Sequence, residues 1–118
     1  MRNKYLSYIK EEEMTPFENA EEAWFWCCLC EQLQKGSRHR ADSNVVRPCE
    51  KSDIVIAVKR LLQTGVLRPS HIKILSKYGL SQVPPHPHFG DSLKICSLWK
   101  EALDFLDVLL KKKGIVMT

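Results

Sequence analysis

Glycine is scarce in this chain, with only Gly36, Gly65, Gly79, Gly90 and Gly114 among 118 residues. There is no glycine-rich phosphate loop, no Gly-x-Ser-x-Gly elbow and no His-Glu-x-x-His pair. Long apolar runs are missing too. The longest, residues 23–30, has eight residues, against the ~20 that a membrane-spanning helix needs. Residues 1–13 carry three basic and three acidic side chains and no apolar stretch leading into small residues, so they do not read as a secretory signal. The five cysteines are an odd number without the spacing of a disulfide framework. The expectation is a cytoplasmic chain with reduced thiols, no catalytic residues, no cofactor and no place in a membrane.

What is present is enough for one packed domain. Hydrophobic residues make up 44% and charged residues 27%, the balance of a folded protein. Residues 1–13 read as a flexible N-terminal segment and 14–118 as a single helical domain. The glycines fall beside the ends of apolar-periodic segments, as they do when they close helices.

The first helix is expected to open at Thr15-Pro16-Phe17-Glu18, a capping box with proline in the first turn, and to run to about residue 35. Residues 37–49 read as a loop. A second helix spans 50–64, with Ile54, Ala57, Val58, Leu61 and Leu62 inward. A third spans 69–78, with Ile72, Leu75 and Tyr78 inward and Gly79 as its terminator. The proline-rich stretch 80–90 connects to a fourth helix, 91–113. Its buried stripe is Ile95, Trp99, Ala102, Leu103, Leu106 and Leu110; Lys100, Asp104, Asp107 and Lys111 form the opposite stripe. Leu61 and Trp99 are read as core residues. The fold class is therefore all-α, a compact four-helix domain.

Charge is unevenly placed. In 14–35, Glu18, Glu21, Glu22 and Glu31 oppose Lys35 alone; in 53–79, Lys59, Arg60, Arg68, Lys73 and Lys77 oppose Asp53 alone. The intervening loop adds Arg38, Arg40, Arg47 and Lys51 against Asp42 and Glu50. Such a basic middle is either a solvated face or the electrostatic footprint of a nucleic-acid binder.

Residues 53–79 resemble a helix-turn-helix unit, through Ala57, Leu61, Gly65, Val66, Ile72 and Leu75. The position four before the turn glycine, usually small in that family, is Leu61 here. The resemblance implies that the third helix enters the major groove of duplex DNA. Ser70, Lys73, Ser76 and Lys77 would then face the groove, and Lys59, Arg60 and Arg68 would lie along the phosphates. His71 reads as a boundary residue between the apolar and polar faces. The leading expectation is a small DNA-binding or transcription-associated protein.

Three other patterns stand out. Cys27 and Cys30 have zinc-knuckle spacing, and His39 and Cys49 follow. The pair falls inside a helix and no second close pair exists, so no metal site is expected. His86-Pro87-His88 reads as part of a proline-rich connection. The aromatic run Trp24-Phe25-Trp26 belongs either to a central helix or to a partner or homodimer interface centred on Trp24 or Trp26. The second possibility is the alternative function, a helical protein-interaction module.

Overall fold

Phe17 decides how the domain begins. The computed structural model describes residues 14–34 and 46–118, and in it the stretch before the first helix is extended. The Phe17 N–H donates to the Ile115 carbonyl at 2.9 Å, and the Met117 N–H donates to the Phe17 carbonyl at 2.8 Å. This makes a one-residue parallel bridge between Phe17 and Val116. The Thr15 N–H donates to the Val46 carbonyl at 2.7 Å. The Thr15-Pro16 capping box expected from the sequence does not form, because the Thr15 N–H is held by Val46 and the Phe17 backbone by residues 115–117. The first helix, α1, starts later and spans Ala20–Gln34. Its cap is Asn19, whose side-chain oxygen accepts from the Glu22 N–H at 2.9 Å. Gly36 and the loop cations Arg38 and Arg40 lie outside the described residues.

Three further α-helices follow: α2 (Lys51–Gln63), α3 (Pro69–Ser81) and α4 (Leu93–Lys112). A single 3-10 turn, Pro87–Phe89, stands between the last two. This is the all-α, four-helix architecture that the periodicity predicts. Each start has a chemical reason. At α2 the Glu50 N–H donates to the Asp53 carboxylate at 2.8 Å. At α4 the Ser92 hydroxyl accepts from the Ile95 N–H at 3.2 Å. At α3 the Arg68 N–H donates to His71 Nδ1 at 3.0 Å.

The α1 and α4 helices form the central pair, each packed against all three others. The α2 and α3 helices rest on that pair and touch each other little. This arrangement explains why α1 is apolar nearly all round: Ala20, Ala23, Trp24, Cys27 and Cys28 are all buried. The α4 stripe is as expected for Trp99, Ala102, Leu103, Leu106 and Leu110, while Ile95 is half-buried. Among the opposite-face residues, Asp107 pairs with Lys111 at 2.9 Å and also accepts the Ala20 N–H at 3.0 Å. It therefore caps α1 from α4.

Several sequence expectations are corrected. Leu61 and Ile72 are half-buried and Leu62 is exposed, because α2 and α3 flank the central pair and each buries only a narrow stripe. His71 is a core residue, 1% exposed. With Nδ1 accepting from Arg68, its Nε2–H donates to the Glu101 carboxylate at 2.7 Å. Gly79 does not end α3, which continues to Ser81 and closes at Gln82 with φ of 60°.

Gly79 has a different task. A Cβ built there would lie 2.6 Å from both Cys28 Sγ and Trp24 Nε1. The Trp24 indole cannot swing away freely, since its N–H donates to the Leu75 carbonyl at 2.8 Å. Glycine is the residue that lets α1 and α3 approach this closely. Gly79→Ala should therefore destabilise the fold by about 1–3 kcal/mol through overpacking, against the ~1 kcal/mol that alanine gains as a helix former. Urea unfolding checks this, and a higher unfolding midpoint for the variant would refute the close contact.

Candidate functional site

The basic residues singled out from the sequence lie on the outer surfaces of α2 and α3. Lys59 and Arg60 are exposed on the second half of α2, and Arg68 is exposed at the start of α3. Ser70, Lys73, Ser76 and Lys77 are all exposed along α3. The inward side of α3 is His71, Leu75, Tyr78 and Gly79, so helical geometry turns Lys73 and Lys77 outward. No Asp or Glu occurs between Asp53 and Asp91. Among the described residues, Arg68 has a carboxylate partner, Glu101 at 3.7 Å, whereas Lys59, Arg60, Lys73 and Lys77 have none.

Ser70, Lys73 and Lys77 are brought together at the rim of a groove of about 340 Å³ between α3 and the first half of α4. Ile74, Tyr78, Ile95 and Leu98 complete its lining. The sequence analysis missed this floor. Ile74 and Leu98 fall just outside the apolar stripes of their helices, and that offset is the only signal the sequence carries for it. The Lys77 ammonium lies 5.3 Å from the centre of the Tyr78 ring. Ser76 does not line the groove.

Asp91 closes one end of this region. Its carboxylate accepts from the Tyr78 hydroxyl at 2.6 Å and from the His86 N–H at 2.9 Å. The Tyr78 bond, then the His86 bond and nearby Lys77, hold the Asp91 carboxyl below the usual carboxylate range. The same hydrogen bond, with burial, pushes the Tyr78 phenol up to about 12.

A second concavity, about 310 Å³, lies where α1 begins beside α4. Its carboxylates serve the fold: Asp107 caps α1, and Glu21 accepts from the Trp99 indole N–H at 3.2 Å.

The proposed partner face on α1 is corrected for one of its two residues. Trp24 is buried, its ring against Gly79 and its N–H on Leu75. Trp26 is half-buried, with its ring centre 5.2 Å from that of Phe17. Of the cysteines, Cys27 and Cys28 on α1 and Cys49 before α2 are buried, and Cys30 is half-buried. Burial pushes the Cys27 and Cys49 thiols up to about 12 and the Cys28 thiol up to about 11, and it raises Cys30 as well. Such thiols are poor nucleophiles at neutral pH. Among the described residues no three His, Cys, Asp or Glu side chains are placed to hold a metal ion, and His39 lies outside those residues. No described helix is long and apolar enough to cross a membrane.

Comparison with family models, with curated proteins and with solved structures finds no match.

The Tyr78–Asp91 bond gives the site a pH signature. The folded Tyr78 pKa is raised, so its contribution is present below the ordinary phenol value of 10.0 and is lost as pH rises through about 12. The folded Asp91 pKa is lowered, so its contribution is present above 3.8 and is lost as pH falls through the lower folded value. Phenolate absorbance should resolve one of the three tyrosines titrating near 12. Tyr78→Phe should abolish that step; its survival in the variant would remove the bond as its cause.

Proposed function

We propose that this chain is a small DNA-binding protein that applies the second half of α2 and the outer face of α3 to the phosphate backbone of duplex DNA. One observation carries the reading. Between Asp53 and Asp91 the chain has five lysines and arginines and no acid, and all five are exposed on two consecutive helices or at the cap between them. A surface with so few internal counter-charges attracts a polyanion and gains from the counterions that the polyanion releases.

Roles follow from position and chemistry. Lys59, Arg60 and Arg68 act on phosphates, supplying affinity and little sequence preference. Ser70, Lys73, Ser76 and Lys77 face outward along α3, where hydroxyl and ammonium groups can reach base edges in the major groove. The α2–turn–α3 order supports a helix-turn-helix-like approach. The charge and exposure of α3 support it more than the packing of the pair does, since α2 and α3 rest on α1 and α4 and little on each other. The burial of Trp24 weakens the rival reading, in which an aromatic face of α1 holds a protein partner. Five free cysteines suit a reducing, cytoplasmic setting.

The test is a titration of labelled duplex DNA at two salt concentrations. Affinity should fall steeply as salt rises, since each neutralised phosphate contributes about 0.9 to the logarithmic slope. Arg60→Ala should weaken binding to all sequences alike and make the slope shallower by about one. Lys73→Ala should instead erode the preference between sequences. Both side chains are exposed, so both variants should unfold with the wild type. Absence of binding at low salt up to about 100 µM, where non-specific binders already associate, would discard the reading.

A further inference from the structure

The α3–α4 groove has a character that a phosphate backbone does not need. Ile74, Tyr78, Ile95 and Leu98 line it with apolar surface. The Tyr78 hydroxyl, the one polar group among them, already donates to Asp91. The floor thus offers no free donor to a base edge and, besides the Tyr78 oxygen, no side-chain acceptor. Its chemistry suits apolar side chains, and about 340 Å³ is room for one or two large ones.

The rim suits something else. Lys73 and Lys77 stand one helical turn apart on the same edge, with Ser70 a further turn back. No acid on α3 balances them, and Asp91, although its charge acts on Lys77, is hydrogen-bonded to Tyr78 and His86 and forms no salt bridge with either lysine. A ligand that satisfies both floor and rim is apolar along one stripe and acidic beside it. A helix that places large apolar side chains at i, i+3 and i+4, with glutamate or aspartate a turn away, has that pattern. Among the described helices α4 shows exposed Phe105 and Val108 beside Asp104. A second copy seated through α4 is therefore the competing occupant, and a dimer in sedimentation that is lost on Phe105→Ala would overturn a partner helix.

We propose that this groove is the docking site for an acidic amphipathic helix of a partner protein. Its apolar stripe enters between Ile74 and Leu98, and its carboxylates pair with Lys73 and Lys77. Occupancy uses two of the cations assigned to DNA, so partner and nucleic acid exclude one another. That last consequence alone rests on the DNA reading.

A labelled synthetic helix with leucines at i, i+3 and i+4 flanked by glutamates tests it, beside a shuffled peptide of the same composition and a glutamate-to-glutamine peptide. Fluorescence anisotropy should give saturable binding of the first. The shuffled and glutamine peptides, and the first peptide on the Lys73→Glu/Lys77→Glu protein, should bind at least about tenfold more weakly. Amide resonances of Ile74, Tyr78, Ile95 and Leu98 should shift on binding. Leu98→Gln, checked for folding by circular dichroism, should weaken peptide binding at least about tenfold and leave DNA binding unchanged. Because the peptide arms keep the protein intact, the test survives a variant that fails to fold. Equal binding of the shuffled peptide, shifts confined to α1, or floor resonances that move with duplex DNA and not with peptide would overturn the proposal. Peptide binding without DNA binding would leave the groove standing and remove the DNA reading; the reverse would do the opposite.

Discussion

The contact of Trp24 with Gly79 governs the rest of this structure. A tryptophan on the central helix lies across α3 at the one position where α3 has no side chain, and its N–H reaches the Leu75 carbonyl at 2.8 Å. The contact sets both the distance between α1 and α3 and the rotation of α3 about its own axis. With Leu75, Tyr78 and Gly79 directed inward, Lys73 and Lys77 must point to solvent. Two side-chain bonds reinforce the arrangement near the ends of the helices. The Gln82 amide donates to the Phe25 carbonyl at 2.9 Å, and the Gln32 amide donates to the Leu80 carbonyl at 2.7 Å. The charged face of α3 is thus the outward consequence of an apolar contact on its opposite side.

The helices were legible in the sequence because each carries its own periodicity, and α2 and α4 were placed to within about two residues of their ends. What was not legible depended on partners distant along the chain. The Thr15-Pro16 cap satisfied every local rule, and it lost to hydrogen bonds between Phe17 and residues 115–117. Gly79 looked like a terminator because glycine usually is one after an apolar run. Its actual role needs knowledge that Trp24 lies opposite. His71 fell at the edge of a helical wheel and proved fully buried, because Glu101 on α4 supplies the acceptor that lets an imidazole leave water.

The candidate site divides in the same way. Exposure of Lys59, Arg60, Ser70, Lys73, Ser76 and Lys77 followed from the helical faces alone. The groove beside them did not, since it comes from the approach of α4 to α3 and from residues just off each apolar stripe. The reading of Trp24 as a partner contact failed because a helix apolar all round is compatible with two situations. The bundle chose the central one by placing α2, α3 and α4 around α1.

Glu101 adds a distinction among the basic residues that their count conceals. Among the described residues it is the one carboxylate paired at the start of α3, where it accepts from His71 and stands 3.7 Å from the Arg68 guanidinium. Arg68 and Glu101 are both largely exposed, so their attraction is weak and screened by salt. Even so, an approaching phosphate must share Arg68 with a resident anion, while among the described residues Lys59, Arg60 and Lys73 have no such competitor and Lys77 has only the field of nearby Asp91. Glu101 cannot be given up freely to release Arg68, because it also satisfies the buried imidazole whose other nitrogen caps α3. Within this basic segment Lys59, Arg60, Lys73 and Lys77 are therefore the cations that no salt bridge among the described residues holds. Two of those four border the groove, so whatever occupies the groove acts directly on them.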